Sequence, residues 1–305
     1  MRKAGYIAIV GRPNAGKSTF LNQFLGEQLS ITTHKAQTTR DKILGVFTEN
    51  VLQIIFLDSP GLHIRKKEIN VFMIKEAISA IKEADLVLLF VEYNHQKKID
   101  IVEKKIIEHI SKREKPIVLI LNKIDKFKNP LELMEAINFW NEQGDFKDII
   151  PISSLKGFNK KLLIRDFEKY IPEHPFYYPE DFLTDKDERF TISELVREQV
   201  LLMINEEIPY DTAVRVEKFA TIEKKLHLEV TIVLARESQK RVVIGSKGSM
   251  LQKIKERAAK KIEDALEIDV HLRLFVRIEK NWSKIGKKME SFGYTNDTNV
   301  DDFLK

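Results

Sequence analysis

GRPNAGKS, residues 11–18, follows an apolar run, Tyr6 to Val10, and opens a helix-spaced pattern in Thr19, Phe20, Leu21, Phe24 and Leu25. That order predicts a strand, a glycine loop and a helix, the arrangement that cradles phosphate groups. Gly11 and Gly16 let the backbone of Arg12, Pro13, Asn14 and Ala15 curl so that successive N–H groups converge on phosphate oxygens. The start of the following helix adds its dipole. In this motif Lys17 bridges the outer phosphates, and the Ser18 hydroxyl ligates magnesium with Thr19 behind it.

The rest of the chain sets bounds on what surrounds that loop. At 305 residues it is longer than one compact domain usually is, so two domains are expected. The absence of cysteine excludes disulfides, thiolate metal sites and cysteine nucleophiles, and fits a reducing, cytoplasmic setting. The basic start, Met1-Arg2-Lys3, leads into an apolar segment that ends after Val10, too short for a signal peptide. The longest apolar runs, Leu86 to Val91 and Ile117 to Leu121, fall far below the roughly 18 residues of a membrane span, so a soluble protein is expected. Net charge is only +5, but its placement is uneven. Between Lys240 and Lys261 stand Lys240, Arg241, Lys247, Lys253, Lys255, Arg257, Lys260 and Lys261 against one acid, Glu256. Such a concentration is an electrostatic footprint for a polyanion, although a basic run taken alone is more often a solvated helix face.

Up to residue 171 the pattern alternates buried-looking strands with amphipathic stretches, which predicts βα units on a mostly parallel sheet. The strands are Tyr6 to Val10, Ile43 to Thr48, Leu52 to Leu57, Leu86 to Val91, Ile117 to Leu121 and Ile149 to Ile152. The short gap between the second and third makes them a hairpin, hence one antiparallel edge. Residues 172–190, with Pro172, Pro175 and Pro179 among tyrosines and acids, read as a linker. Residues 191–285 then run helix, strand, strand, short helix, long helix, strand, and residues 286–305 form a C-terminal tail.

Two motifs select the ligand of the first domain. Asp58-Ser59-Pro60-Gly61 ends the strand Leu52 to Leu57, where an acid can hold the metal through water and the Gly61 N–H can meet a terminal phosphate. Asn122-Lys123-Ile124-Asp125 follows the strand Ile117 to Leu121. A carboxylate at Asp125 can accept from N1–H and the exocyclic amine of guanine, a donor pair adenine lacks, and adenine would leave that acid unpaired at a cost of about 1–3 kcal/mol. Lys123 can cover the base, and Asn122 can tie this loop to the phosphate site. Between Ile31 and Arg40 lies a polar loop, ITTHKAQTTR, that can bring a hydroxyl to magnesium only when a third phosphate is present. Thr39 is the candidate and Thr38 its rival.

In the second half, Ile244-Gly245-Ser246-Lys247-Gly248 lies between the short and long helices. Two glycines allow close approach of a nucleic-acid backbone, Lys247 adds charge, the next helix points its N-terminus at phosphate, and a groove beside Ile244 accepts bases. Arg241 and Lys253, with Arg257, are the neighbouring cations. Trp282 reads as packing in preference to base stacking.

These motifs in this order resemble the translation-factor-related GTPases, and the core of GRPNAGKSTFLN narrows the resemblance to the group of Era, Der and the tRNA-modification GTPases. Ser153-Ser154-Leu155-Lys156 matches that group's serine-alanine-lysine element, which closes over guanine, with Ser154 where alanine is usual. The GSKG segment in its α-β-β-α-α-β order resembles a KH domain of the second type. A GTPase domain joined to one KH domain is similar to the Era family over nearly the whole chain, including ITTHKAQTTRDKILGV, DSPGLH and FLTDKDERFTISELVREQVL. The resemblance implies a P-loop α/β GTPase domain followed by an α+β KH domain, with GTP and GDP as substrate and product and magnesium as cofactor. It further implies binding to the 3′ region of 16S rRNA, a role in 16S rRNA processing and 30S subunit assembly, a monomer, and peripheral association with the inner membrane. Leu62 departs from Ras-like switches, which carry glutamine after this motif. Leucine cannot orient water, so hydrolysis must rely on backbone, a potassium ion or a bound partner, and slow intrinsic turnover follows. That departure also sustains a second reading, an RNA-binding assembly factor or chaperone whose nucleotide site is a sensor.

Overall fold

The computed structural model describes residues 1–33, 35, 38–62, 68–93, 98–204, 208–292, 294–295 and 298–304. A six-stranded sheet is built from β1 (Lys3–Gly11), β2 (Ile43–Glu49), β3 (Leu52–Asp58), β4 (Leu86–Glu92), β5 (Ile117–Asn122) and β6 (Asp148–Pro151), in the order β2-β3-β1-β4-β5-β6. β2 is antiparallel to β3 and every other pairing is parallel, as the hairpin and the βα pattern predict. β3 and β5 are buried along their whole length because helices cover both faces. α1 (Lys17–Leu25) and α5 (Lys160–Glu168) pack on one face through Phe20, Phe24, Leu163 and Phe167. α2 (Glu68–Glu83), α3 (Ile101–Ser111) and α4 (Pro130–Asn141) pack on the other through Ile78, Ile106 and Trp140. The phosphate loop and the three motifs from Asp58, Asn122 and Ser153 all leave the carboxyl ends of strands. That is the edge where open α/β sheets bind ligands.

The second unit contains α6 (Glu188–Met203), β7 (Thr212–Ile222), β8 (Lys225–Leu234), α7 (Glu237–Ile244), α8 (Ser249–Leu266) and β9 (Val270–Ile278). Its sheet runs β7-β8-β9, antiparallel then parallel. α8 buries Ile254, Ala258 and Ile262, one stripe at four-residue spacing, and leaves Lys253 and Lys260 exposed. α6 begins three residues before the expected start, because Asp187 caps it by accepting from the Phe190 N–H at 2.8 Å.

Two segments are more firmly seated than the sequence suggests. The expected linker lies along the open edge of the large sheet. The Val46 N–H donates to the Leu183 carbonyl at 2.8 Å, Thr184 donates to the Leu44 carbonyl at 2.6 Å, and Gln53 accepts from Tyr177 and Tyr178. An exposed edge strand has unpaired backbone groups, and this strap satisfies them. The expected tail folds into α9 (Gly286–Glu290) and α10 (Asp301–Leu304). Met289 joins Phe72 and Met73 of α2 in a buried cluster, while Val300 and Phe303 enter the core beneath α3.

Trp282 is completely buried at the centre of that cluster, and its Nε1 donates to the Asp211 carbonyl at 2.9 Å. It packs, and stacking on a base is excluded in this arrangement. Trp282→Ala is expected to cost about 3–5 kcal/mol of stability, the range for emptying a buried aromatic site. A urea titration followed by far-ultraviolet circular dichroism reads this as a lowered midpoint; an unshifted midpoint would show that the cluster holds nothing together.

Candidate nucleotide site and nucleic-acid interface

The glycine loop joins β1 to α1, and Gly16 takes φ +95°. A Cβ there would lie 2.0 Å from Asn122 Nδ2, so the close approach of the two loops requires glycine. Lys17 is buried, with Nζ 3.2 Å from the Gly11 carbonyl and 2.9 Å from that of Arg12. Burial pulls its pKa down to about 8, with Asp58 acting in the opposite direction. The cation is therefore held on loop carbonyls at the place where phosphates would replace them.

Ser18, Thr39 and Asp58 converge. Ser18 Oγ donates to Asp58 Oδ2 at 2.7 Å and lies 2.9 Å from Thr39 Oγ1. Thr38 turns away, donating to the Lys35 carbonyl at 2.6 Å, so Thr39 rather than its rival faces Ser18. Asp58 is fully buried, and desolvation raises its pKa while Lys17, Ser18 and Ser30 oppose the rise. Its second oxygen, Oδ1, is buried and has no hydrogen-bond partner among the described residues. A carboxylate and two hydroxyls with one carboxylate oxygen left over are a hard-oxygen donor set, which fits magnesium.

Asn122 spans the site: Nδ2 donates to the Ala15 carbonyl at 2.7 Å, and Oδ1 accepts from the Ser154 N–H at 2.9 Å. The cleft beside it is lined by Asn14, Thr19, Lys123, Asp125, Ser154 and Leu155. Ser153 Oγ donates to Asp125 Oδ1 at 2.5 Å, which aims the carboxylate. Lys123 takes a left-handed backbone, φ 64°, and its Nζ reaches Glu92 at 2.6 Å. Ile124 donates its N–H to the Ile152 carbonyl, fastening this loop to the end of β6.

At the other end of the chain, Gly245 (φ 72°), Lys247 (φ 51°) and Gly248 (φ 82°) make a tight turn between α7 and α8. A Cβ on Gly245 would meet Met250 Cβ at 2.7 Å. Arg241, Ser246, Lys247, Lys253 and Arg257 are exposed around this turn.

A model of 50S ribosome-binding GTPases matches residues 6–123, and a KH-domain model matches residues 207–283. GTPase Era of Clostridioides difficile (strain 630) is 41% identical over 296 residues, covering 96% of this chain and 99% of that protein. The chain belongs to the Era family of GTPases. Solved structures agree over the whole fold. An Aquifex aeolicus Era variant bound to GDP·AlF4− aligns with a TM-score of 0.90 at 35% identity, covering 96% of this chain and 99% of that one. Era in complex with MgGDPNP and nucleotides 1506–1542 of 16S ribosomal RNA aligns with a TM-score of 0.91 at 35% identity, covering 97% and 100%. This Era-family chain is thus a P-loop GTPase domain followed by a KH domain.

Several expected contacts of this Era-family site lie elsewhere. The Arg12 side chain points to α3, 3.6 Å from Asp100, so only its backbone faces the loop. Ser59 Oγ is buried on the Ile9 carbonyl at 2.7 Å, and Pro60 is buried behind it. Leu62 is completely buried in the core that includes Val10 and Leu57, with only its backbone near the loop through an N–H to the Gly11 carbonyl. Asp125 is exposed at the cleft mouth, not buried, so any penalty for adenine arises only once a base covers it. Gly61 and Pro13 line the phosphate cleft with Thr39. His63 and part of the Ile31 to Arg40 loop, namely His34, Ala36 and Gln37, lie outside the described residues, as does most of the segment from Leu62 to Glu68.

A groove beside the KH turn is lined by Gly248, Leu251, Gln252, Lys255, Arg273 and Phe275, on the β9 side. Sequence reasoning missed Arg273 and Phe275, although an exposed phenylalanine on the open face of an alternating strand was a readable signal. It also missed Ser30, whose hydroxyl reaches Asp58 at 3.1 Å, and Glu92, which holds both Lys123 and Lys126; no local pattern marks either. Lys247→Asp is expected to weaken single-stranded RNA binding about tenfold, since a phosphate contact becomes a repulsion, and to leave GTP affinity unchanged. Fluorescence anisotropy with a labelled RNA measures it.

Proposed function

We propose that the protein is a GTP-driven switch whose KH domain binds the 3′ region of 16S rRNA during 16S rRNA processing and assembly of the 30S subunit. The observation that carries the nucleotide half is Asn122, whose side chain joins the phosphate loop at Ala15 to the guanine-side loop at Ser154. It sets Asp125 and the phosphate site at the two ends of one cleft. The backbone of residues 11–19 wraps the phosphates, Lys17 neutralises their outer oxygens, and the Gly61 N–H supports the terminal phosphate. Asp125 accepts from the guanine edge, and Lys123, Ser153, Ser154 and Leu155 enclose the base. Ser18, Thr39 and Asp58 would hold magnesium, which when bound offsets charge on the outer phosphate oxygens. Because the Leu62 side chain lies in the core, water is oriented by backbone, a potassium ion or bound RNA, and unstimulated turnover is slow. The RNA backbone lies on Arg241, Gly245, Ser246, Lys247, Gly248 and Lys253, with bases in the groove ending at Phe275.

In this reading the protein acts as a monomer in the cytoplasm, with peripheral contact at the inner membrane; among the described residues no helix is long and apolar enough to cross a membrane. The test is phosphate release from GTP and from ATP, with and without the 1506–1542 fragment of 16S rRNA. Release from GTP alone, accelerated by RNA, is expected; no turnover under any RNA or potassium condition would sink the switch. The buried Leu62 favours one other reading, an assembly chaperone in which GTP is only sensed. Thr39→Ala separates the two, because lost hydrolysis with retained RNA binding and retained assembly would favour the sensor.

A further inference from the structure

The loop carrying Thr39 is gripped from the KH side by α6. Arg197, 1% exposed, donates through its guanidinium to the Thr38 carbonyl and pairs with Glu194 at 2.5 Å. The next residue in the loop is Thr39, whose hydroxyl lies 2.9 Å from Ser18. The next residue on the helix is Glu198, also buried, which accepts from the Thr32 N–H at 3.3 Å and pairs with Lys261 Nζ at 3.1 Å. Lys261 was part of the basic run in the sequence, yet it faces inward to this acid. It stands on α8, the helix that begins at Ser249 immediately behind GSKG. Further along the loop, Arg40 donates to the Thr212 carbonyl at 2.7 Å.

Each buried charge gives the loop one contact that only this position supplies: Arg197 keeps Glu194 and Glu198 keeps Lys261 without it, but the Thr38 carbonyl and the Thr32 N–H find these partners only when Thr32 and Thr38 lie on α6. We propose that Arg197 and Glu198 are positioning residues for the metal-side threonine, and that Lys261 ties the RNA-facing helix α8 to the same device. This rests on the proposed GTP and RNA binding and names the residues that join them. Arg197 sets the Thr38 carbonyl and thereby Thr39. Glu198 fixes the other end of the loop at Thr32, and its orientation depends on Lys261. A ligand that settles α8 therefore favours the loop position that a third phosphate needs, and each ligand tightens the other by the same factor.

The experiment titrates fluorescent GDPNP into the full-length chain with and without saturating 1506–1542 RNA, and takes the ratio of the two dissociation constants. The parent is expected to give a ratio of about 5 or more. Lys261→Met, which keeps the side-chain stem at a half-buried position, and Arg197→Lys, which keeps the charge but loses the planar fork, are expected to bring it to about 2 or below, with Lys261→Arg restoring it. With fluorescent GDP the ratio should stay near one in every protein, and the GDP and RNA dissociation constants measured separately should match the parent's, which a merely structural defect would not produce. A parent ratio of one while both ligands bind, or an unchanged ratio in both variants, overturns the inference and leaves the proposed function standing. Failure of the parent to bind RNA at all overturns both.

Discussion

Asp125→Asn is expected to lower GTP affinity by about 10²-fold or more and to raise affinity for xanthosine triphosphate. The carboxylate stands exposed at the cleft mouth with one oxygen already fixed by Ser153 at 2.5 Å, so its direction is set before a base arrives. It then accepts from both guanine donors. Hydrogen bonds to a charged group contribute about 1.5–3 kcal/mol each, and an amide in its place retains one acceptor but turns a donor toward the guanine amine. Losing one such bond and gaining a donor-donor clash exceeds 2.8 kcal/mol on this scale, about two decades of affinity. Xanthine carries a carbonyl where guanine carries the amine, so the asparagine amide matches it. Competition of GTP and xanthosine triphosphate against fluorescent GDP measures both changes. Equal GTP affinity in the variant would place base recognition elsewhere.

Lys17→Ala should remove GTP hydrolysis by about 10³-fold, the loss typical of deleting a fixed charge from a phosphoryl-transfer site. The size follows from how the lysine is held. Its Nζ rests on the carbonyls of Gly11 and Arg12, is buried, and still carries its proton at neutral pH because its pKa falls only to about 8. Phosphate oxygens therefore meet a cation already desolvated and in place, and no other cation among the described residues is held on these loop carbonyls. The fold should not suffer, since the substitution removes a buried charge that pairs with no carboxylate at hydrogen-bond distance among the described residues. Single-turnover hydrolysis beside a thermal melt separates the two outcomes: full activity would contradict the assigned role, and a collapsed melt would move the cause to folding.

What the sequence made readable depended on how local the cause was. β3 and β5 were legible because helices on both faces demand unbroken apolar runs, and the hairpin because only two residues separate Glu49 from Leu52. Nucleotide motifs were legible as residue types, since phosphate and guanine impose fixed donor patterns at strand ends. Side-chain direction was not. Arg12 stands inside the glycine loop yet turns to Asp100, because the acidic start of α3 lies beside it and no spacing rule reports that neighbour. Leu62 could be named as a poor catalyst from its chemistry, but its place in the core follows from β1 and α2 closing over it. The strap from Tyr177 to Thr184 looked like a loose linker because proline and tyrosine carry no sign of the sheet edge they cover. Arg197 and Glu198 were least visible of all. On a helix they read as ordinary surface charges, and only the fold brings Thr38 and Thr32 against them.

In the proposed function one chain couples a guanine-nucleotide site to the 3′ end of the small-subunit RNA. Crosslinking the protein to RNA in growing cells, then sequencing the attached fragments, tests it most directly, with the Lys247→Asp variant run in parallel. Fragments concentrated at the 3′ end of 16S rRNA, and depleted in the variant, are expected. Fragments spread over cellular RNA without enrichment there, or an enrichment indifferent to Lys247, would contradict it.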